Sequence, residues 1–431
     1  MSKTRRVLLR CASLAAGAFV VLQFFRTELP NPPVTADLSA PAPVKAILQR
    51  ACYDCHSNET RLPWFDHIVP AYWLVVRDVT EGRRRLNFSE LGKLPLAKQN
   101  AALFESVNHV LLGAMPPKPY LTIHPGARIS DGDMITLKGY VRTLAVAPKP
   151  PAATSPLPSP PSPPLPAPNG IAFPVDYGAW KPISGSERFD NGTVRAILGN
   201  AAAIQAIRDN EIAPWPDGAA LAKVAWKSIA DPDGGAHAGD FWQVELMLKD
   251  RERYAGTLGW GFARWRGNEL LPYGKDASFA EECVGCHAPL KDSDAVFTRP
   301  IRRSAELPEG LDLLAGRVLG LSVNPERTTF SMLLGDHVAA NHARTRSNEP
   351  YPPGSILLLA TWSASDDERW FGARTPGAVA SIDVLKRNGE SWLHEAYARG
   401  PEKLERLPSG DPARTAEISS RTTVTLVGGP P

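Results

Sequence analysis

Two strings of the form Cys-x-x-Cys-His constrain this chain more than any other feature: Cys52-Tyr53-Asp54-Cys55-His56 and Cys283-Val284-Gly285-Cys286-His287. On one helical turn the two thiols can add to the two vinyl groups of a haem, with the adjoining histidine under the iron as axial ligand. A zinc site would need further Cys or His at regular spacing, and none flanks either string. A redox dithiol or a short disulfide needs no histidine at the fifth position. Four of the five cysteines fall in these strings, so cysteine serves one purpose here. The expected cofactors are two covalently bound c-type haems (iron), attached at Cys52, Cys55, Cys283 and Cys286, with His56 and His287 as iron ligands.

The rest of the composition bounds the context. With 431 residues, 43% hydrophobic and 22% charged, the chain has room for two or three ordinary globular domains. A formal net charge of +3 gives no reason to expect nucleic acid. At the N-terminus Lys3, Arg5 and Arg6 precede Val7–Phe25, apolar except for Arg10 and Gln23. Positive charge before an apolar run reads as an export signal. Ala16-Gly17-Ala18 offers a small-x-small cleavage pattern, but apolar residues continue past it. The favoured expectation is therefore a periplasmic protein held in the inner membrane by an uncleaved segment over residues 1–30, the alternative a soluble periplasmic protein after cleavage. Residues 148–168 hold 11 prolines in 21 positions. Such a run favours polyproline II and acts as a semi-rigid spacer, roughly 65 Å if fully extended.

Between anchor and spacer, residues 31–147 place the haem motif first. Met115, in Gly113-Ala114-Met115-Pro116-Pro117, stands about where an electron-transfer cytochrome holds its distal thioether, and His/Met ligation raises the potential. His67, His109 and His124 are rivals for that sixth position. Ser130-Asp131-Gly132-Asp133 begins a helix in capping-box style, and Met134, Leu137, Val141 and Leu144 give it an apolar face. This is the layout of an all-α, cytochrome c-like domain. The segment resembles the exported haem-binding domain family. The matching elements are Gln23-Phe24-Phe25-Arg26, Cys52-Tyr53-Asp54-Cys55-His56-Ser57-Asn58, Leu86-Asn87-Phe88-Ser89, and Met115-Pro116-Pro117 followed by His124-Pro125. The resemblance implies haem binding and electron transfer.

Residues 169–306 read differently. Thr193–Leu198, Ala219–Trp226, Phe241–Leu248 and Gly261–Arg266 are strand-like, Ala201–Arg208 is helix-like, and the haem motif comes last, in a helical stretch from Ala277. An antiparallel sheet with a late haem helix is an α+β arrangement. It resembles the cytochrome P-460 family through Glu187-Arg188-Phe189, Gly192–Gly199, Trp215-Pro216-Asp217-Gly218, Lys249-Asp250 with Arg253-Tyr254-Ala255, and Cys283–His287 followed by Asp294-Ala295-Val296-Phe297-Thr298-Arg299. The resemblance implies a haem that oxidises hydroxylamine when cross-linked to a lysine, or binds nitric oxide without the cross-link. Lys223 stands where that lysine is found and Arg195 matches an arginine of the preceding strand; these two are the candidate catalytic residues. A cross-linked, a plain five-coordinate and a six-coordinate haem all stay open. Lys227 shares a face with Lys223, so alternation does not separate the two. Asp217 and Glu245 are carboxylates that could approach the distal side.

The sequence also repeats itself at an offset of 136. Gly192–Trp226 and Thr328–Trp362 align without gaps over 35 positions with ten identities, among them Leu198/Leu334, Gly199/Gly335, Arg208/Arg344, Gly218/Gly354 and Trp226/Trp362. Lys223 becomes Leu359, Arg195 becomes Ser331, and no cysteine follows Cys286. Residues 307–431 thus read as a haem-free P-460-like copy, the two copies forming a dimer-like pair within one chain. His337, His342 and His394 are scattered histidines that read as satisfied groups before they read as a metal site. The whole is expected to be a multidomain periplasmic dihaem cytochrome. Its P-460-like haem would bind or oxidise a small nitrogen compound and pass electrons through the cytochrome c-like domain to a partner cytochrome or a membrane quinol/oxidase system. The alternative is a non-enzymatic electron carrier or nitric-oxide-binding protein.

Overall fold

The computed structural model describes residues 3–151, 164–301, 307–308, 310–345, 349–401, 403–408, 410–424 and 426–428. The chain divides into two compact units, Met1–Leu144 and Ala145–Pro431.

The first unit is helical. Its elements are α1 (Lys3–Leu22), α2 (Ala42–Ala51), α3 (Tyr53–His56), α4 (Ala71–Arg85), α5 (Leu96–Leu111), α6 (Lys118–Ile123) and α7 (Asp131–Arg142). The capping box at Ser130 forms: its hydroxyl accepts from Asp133 N, and the Asp133 carboxylate accepts from Ser130 N. Leu137 and Val141 of α7 are buried as their spacing predicts. Helix α1 overturns the expectation of a membrane anchor. No helix among the described residues is long and apolar enough to cross a membrane. The reason lies in the charges. Arg5, Arg6 and Arg10 sit within α1, and the helix beyond Arg10 runs only from Cys11 to Leu22. That stretch is about 18 Å at 1.5 Å per residue, against a hydrocarbon core of about 30 Å.

Among the described residues, the second unit is built on an antiparallel sheet of twelve strands. Its first half carries β1 (Lys181–Arg188), β2 (Thr193–Gly199), α8 (Ala201–Asp209), β3 (Ala220–Ala230), β4 (Ala236–Lys249), β5 (Trp260–Arg266), β6 (Leu271–Pro272) and the haem-motif helix α9 (Ala280–His287). Its second half carries β7 (Arg317–Asn324), β8 (Thr329–Gly335), α10 (His337–Arg344), β9 (Ile356–Asp366), β10 (Ala373–Asn388), β11 (Ser391–Arg399), β12 (Leu404–Arg406) and α11 (Pro412–Ser419). Strands β1, β2 and β3 reappear as β7, β8 and β9 at the 136-residue offset of the sequence repeat. The details repeat as well. Asn200 and Asp336 each cap a helix by accepting from the backbone three residues on, and each also accepts from the first residues of the next strand. Gly218 and Gly354 both adopt positive φ, +87° and +88°, where only glycine is unstrained.

The halves join at both ends. β4 pairs with β7, and β10 returns to pair with β1, so the strands β1-β2-β3-β4-β7-β8-β9-β10 close a circuit. The side chains alternate across it, as the two-residue period of a strand requires. Val194, Ala196, Val224, Trp226 and Val244 point inward and meet Phe330, Met332, Trp362 and Ile382 of the other half in one core. Gly185 permits a close approach, because a Cβ there would stand 2.5 Å from Phe330. The proline-rich run is tied to this unit at both flanks: Lys149 exchanges backbone hydrogen bonds with Ser228 and Ala230, and Trp265 Nε1 donates to the carbonyl of Leu165. The spacer expected between these flanks falls largely on residues 152–163, which lie outside the described residues.

Candidate functional site

In the first unit, α3 is the single turn carrying Tyr53, Asp54, Cys55 and His56. Its histidine is aimed by the backbone: His56 Nδ1 donates to the carbonyls of Gly82 (3.0 Å) and Leu86 (3.1 Å). This leaves Nε2 as the nitrogen for a metal, the usual division of labour in a ligating histidine. Burial, chiefly, lowers the His56 pKa, which keeps the ring neutral, the form able to ligate a metal. Gly82 is required where α4 crosses the motif, since a Cβ there would lie 2.6 Å from the Cys55 carbonyl oxygen. The string Leu86–Ser89 closes over the same turn. Phe88 N donates to the His56 carbonyl, Asn58 N to Ser89 Oγ, and the Phe88 ring stacks on Tyr53 at 5.2 Å. Burial pushes the Cys52 thiol up to about 12 and Cys55 to about 11, and both thiols are free.

The rivals for the sixth position separate. His124 has both ring nitrogens engaged, Nε2 with Asp66 Oδ2 at 2.9 Å and Nδ1 with the Tyr120 carbonyl at 3.3 Å. His67 stacks beside Tyr72. Met115 follows α5, half-exposed at 39%, its backbone N–H bonded to the carbonyl of His109. His109 Nδ1 is buried without a partner.

In the second unit the outer face of β2–β5 carries a charged row. Strand register places Ile197 opposite Lys223, Lys223 opposite Glu245, and Glu245 opposite Arg264. Arg195 lies two residues from Ile197 and hence on the same face. The row is internally paired. Lys223 Nζ contacts one oxygen of Glu245, and Arg264 Nη2 the other at 2.7 Å. Arg195, 5% exposed, donates from Nε to Thr193 Oγ1. Burial, opposed by Glu245, brings the Lys223 ammonium down to about 8, and burial with Arg188 brings Arg195 to about 9. Burial alone would raise Glu245, but Lys223 and Arg264 hold it below the carboxylate range.

Helix α9 packs on this face, with Cys283 and Val284 against the cluster that includes Ile197, Leu221 and Phe262. His287 Nδ1 donates to the Ala295 carbonyl at 2.6 Å, and burial holds the ring down to about 4. As in the first motif, Nε2 is left for a metal. The charges of Lys223, Glu245 and Arg264 reach both His287 and Cys283. Thus the charges of Lys223 and Glu245, with Arg264, act on His287, while Arg195 lies on the same sheet face. Lys227 separates from Lys223 after all: β-bulges at Trp226 shift the register, and its ammonium sits over the Trp242 ring at 3.7 Å. Asp217 is absent from the group, being paired at the surface with Arg251. Glu245 therefore takes the place that the sequence shared between two carboxylates.

Sequence reasoning missed two members. Arg264 looks like an ordinary strand arginine, and only the register of β5 discloses it; its Nε is buried without a partner. Lys249 is 2% exposed and forms an ion pair with Asp294 at 2.8 Å. Asp294 also accepts from Trp215 N, and its carbonyl accepts from Trp260 Nε1. This brace fixes the loop that delivers the Ala295 carbonyl to His287. It also explains why both strings matter to the resemblance. On the second half, Leu359 and Ser331 occupy the Lys223 and Arg195 positions, and α11 covers the face, burying Ile418 against Leu333, Leu359 and Leu385. His342 donates to the Glu349 carbonyl and His394 Nε2 pairs with Asp383, so these two histidines engage separate partners, with His394 Nδ1 buried and unpartnered.

Two Cys-x-x-Cys-His helices, each with its histidine steered by backbone carbonyls, fit haem and give the class the two sites define, a haem-binding protein. Residues 17–143 match the haem-binding domain family and residues 174–298 the cytochrome P460 family. The two matches lie in tandem along the chain. No curated protein matches it.

Proposed function

We propose that the chain is a periplasmic dihaem c-type cytochrome. In this reading the P460 domain binds or oxidises a small nitrogen compound, hydroxylamine or nitric oxide, and passes electrons to the haem of the first unit. From there they leave to a partner cytochrome or a quinol/oxidase system. The observation that carries the reading is the row Arg195, Lys223, Glu245 and Arg264 on one sheet face, the last three of whose charges act on His287. When bound, the haem supplies an iron site for a small ligand and a store for electrons.

The chain's own residues supply the rest. Cys283 and Cys286 would attach the haem, and His287 Nε2 would hold its iron. In the first unit Cys52, Cys55, His56 and Met115 would do the corresponding work. Glu245 is held ionised, so its part is to fix Lys223 and Arg264 rather than to take up protons. Lys223, near 8, is neutral in roughly a tenth of molecules at pH 7, and a free amine is what both proton exchange and attachment to the haem require. Arg195 is a buried donor for a polar ligand. The haem-free half is a degenerate copy that completes the barrel, a dimer-like pair within one chain.

The test is the purified holoprotein. A Soret band shifted to the red, a Lys223–haem linkage in the peptide mass map and hydroxylamine turnover lost in Lys223→Met support the oxidase. An ordinary spectrum without turnover overturns it in favour of a ligand-binding or electron-carrying protein.

A further inference from the structure

The two halves of the second unit exchange arms. The β3–β4 connection of the first half (231–235) reaches the β7–β8 turn, where Asn324 Nδ2 donates to Asp233. The β9–β10 connection of the second half (367–372) reaches back to the first. The two arms occupy corresponding places but differ in chemistry. The first reads Asp-Pro-Asp-Gly-Gly, the second Asp-Glu-Arg-Trp-Phe-Gly. The bulk is concentrated in the arm that approaches the haem motif.

There it makes three kinds of contact. Arg369 Nη1 donates to the carbonyls of Val296 (3.0 Å) and Phe297 (3.2 Å). Trp370 packs edge-on against Phe297 at 5.6 Å, and Phe297 packs edge-on against His287 at 5.0 Å. Trp370 is itself fixed, its Nε1 donating to Asp190 Oδ2 at 3.1 Å and the Arg188 guanidinium lying over its ring at 4.4 Å. The segment so held, Ala295–Phe297, carries the carbonyl that accepts from His287 Nδ1.

We propose that the haem-free half positions the proximal ligand of the other half's haem, with Arg369 as the positioning residue and Trp370 as the wedge that seats Phe297 against the imidazole. A hydrogen bond to the non-ligating nitrogen raises the basicity of a ligating histidine. Arg369 thereby sets how strongly His287 donates to iron, through a segment it holds by two backbone carbonyls. This rests on His287 being an iron ligand.

The experiment is a redox titration of the full chain, followed at the band of the centre attached through Cys283 and Cys286. That band is assigned with a Cys52→Ala/Cys55→Ala variant. Arg369→Ala is expected to raise the potential of that centre, because a looser Ala295 carbonyl leaves a less basic ligand, and to leave the first centre unmoved. Arg369→Lys, which keeps one donor, should restore part of the shift. Asn324→Ala, which cuts the opposite arm, should leave both centres alone. Equal potentials in Arg369→Ala and the parent protein, or an equal shift in Asn324→Ala, overturn the proposal. Absence of haem at Cys283 and Cys286 in the parent protein instead overturns the reading on which it rests.

Discussion

Replacing Lys249 by Met tests whether the loop behind His287 is held by one buried ion pair. Lys249 is 2% exposed, its ammonium 2.8 Å from the Asp294 carboxylate and 4.9 Å from the centre of the Trp260 ring. At that separation the gross attraction is about 6 kcal/mol for an effective dielectric constant near 20. Most of it offsets the cost of taking both charges out of water. The loss on removing one partner is larger than the net worth of the pair, because Asp294, with its side chain 17% exposed, stays behind with Trp215 N as its donor among the described residues. Such truncations cost about 3–5 kcal/mol. With a urea dependence of about 3 kcal/mol per molar, the unfolding midpoint of the second unit should fall by roughly 1–1.7 M. Tryptophan fluorescence reads this unit, since only Trp64 and Trp73 of the 11 tryptophans lie in the first. Lys249→Met/Asp294→Asn should recover much of the loss, because Asn tolerates the left-handed backbone at 294 (φ 52°) and leaves no unpaired charge. A midpoint unchanged in Lys249→Met, or a double variant weaker than the single one, would refute the reasoning.

Two further changes probe the first unit. Gly82→Ala drives a Cβ to 2.6 Å from the Cys55 carbonyl, so haem attachment at Cys52 and Cys55 should fall several-fold in the intact mass, with the second site loaded as before; full loading of both contradicts the fit. Asp133→Asn removes one side of the capping box and the ion pair to Arg50 at 2.7 Å, and should cost about 1 kcal/mol in the first unit at pH 7. Because hydrogen bonds from Ser130 lower the Asp133 pKa in the fold, the native carboxylate contributes stability above its ordinary value. That contribution is lost as the pH falls through and below it. Native protein and variant should therefore converge in urea midpoint below about pH 4, and a constant gap across that range would contradict the sign.

The parts legible in the sequence are those with short-range causes. Ser130 and Asp133 announce α7 through the cap itself. Val194, Ala196 and Leu198 alternate with Arg195 and Ile197, which marks β2 and gives both its faces. The two haem motifs carry their chemistry within five residues. What stayed hidden is non-local. Strand β1, Lys-Pro-Ile-Ser-Gly-Ser-Glu-Arg, contains Pro and three small residues and shows no alternation; it is a strand because β2 and β10 flank it. Arg264 belongs to the site only by its register with Glu245. Arg369 and Trp370 belong to it because β10 closes on β1. The apolar N-terminal run misled for a physical reason: hydropathy over residues 7–25 counts Phe24 and Phe25, but the helix ends at Leu22 and carries Arg10 within it.

Intact-mass measurement of the mature protein, with Cys283→Ala/Cys286→Ala beside it, tests the central claim most directly. Two haems added to the parent polypeptide and one to the variant are the predicted result. A parent that carries one haem or none, or a variant that loses nothing, contradicts it.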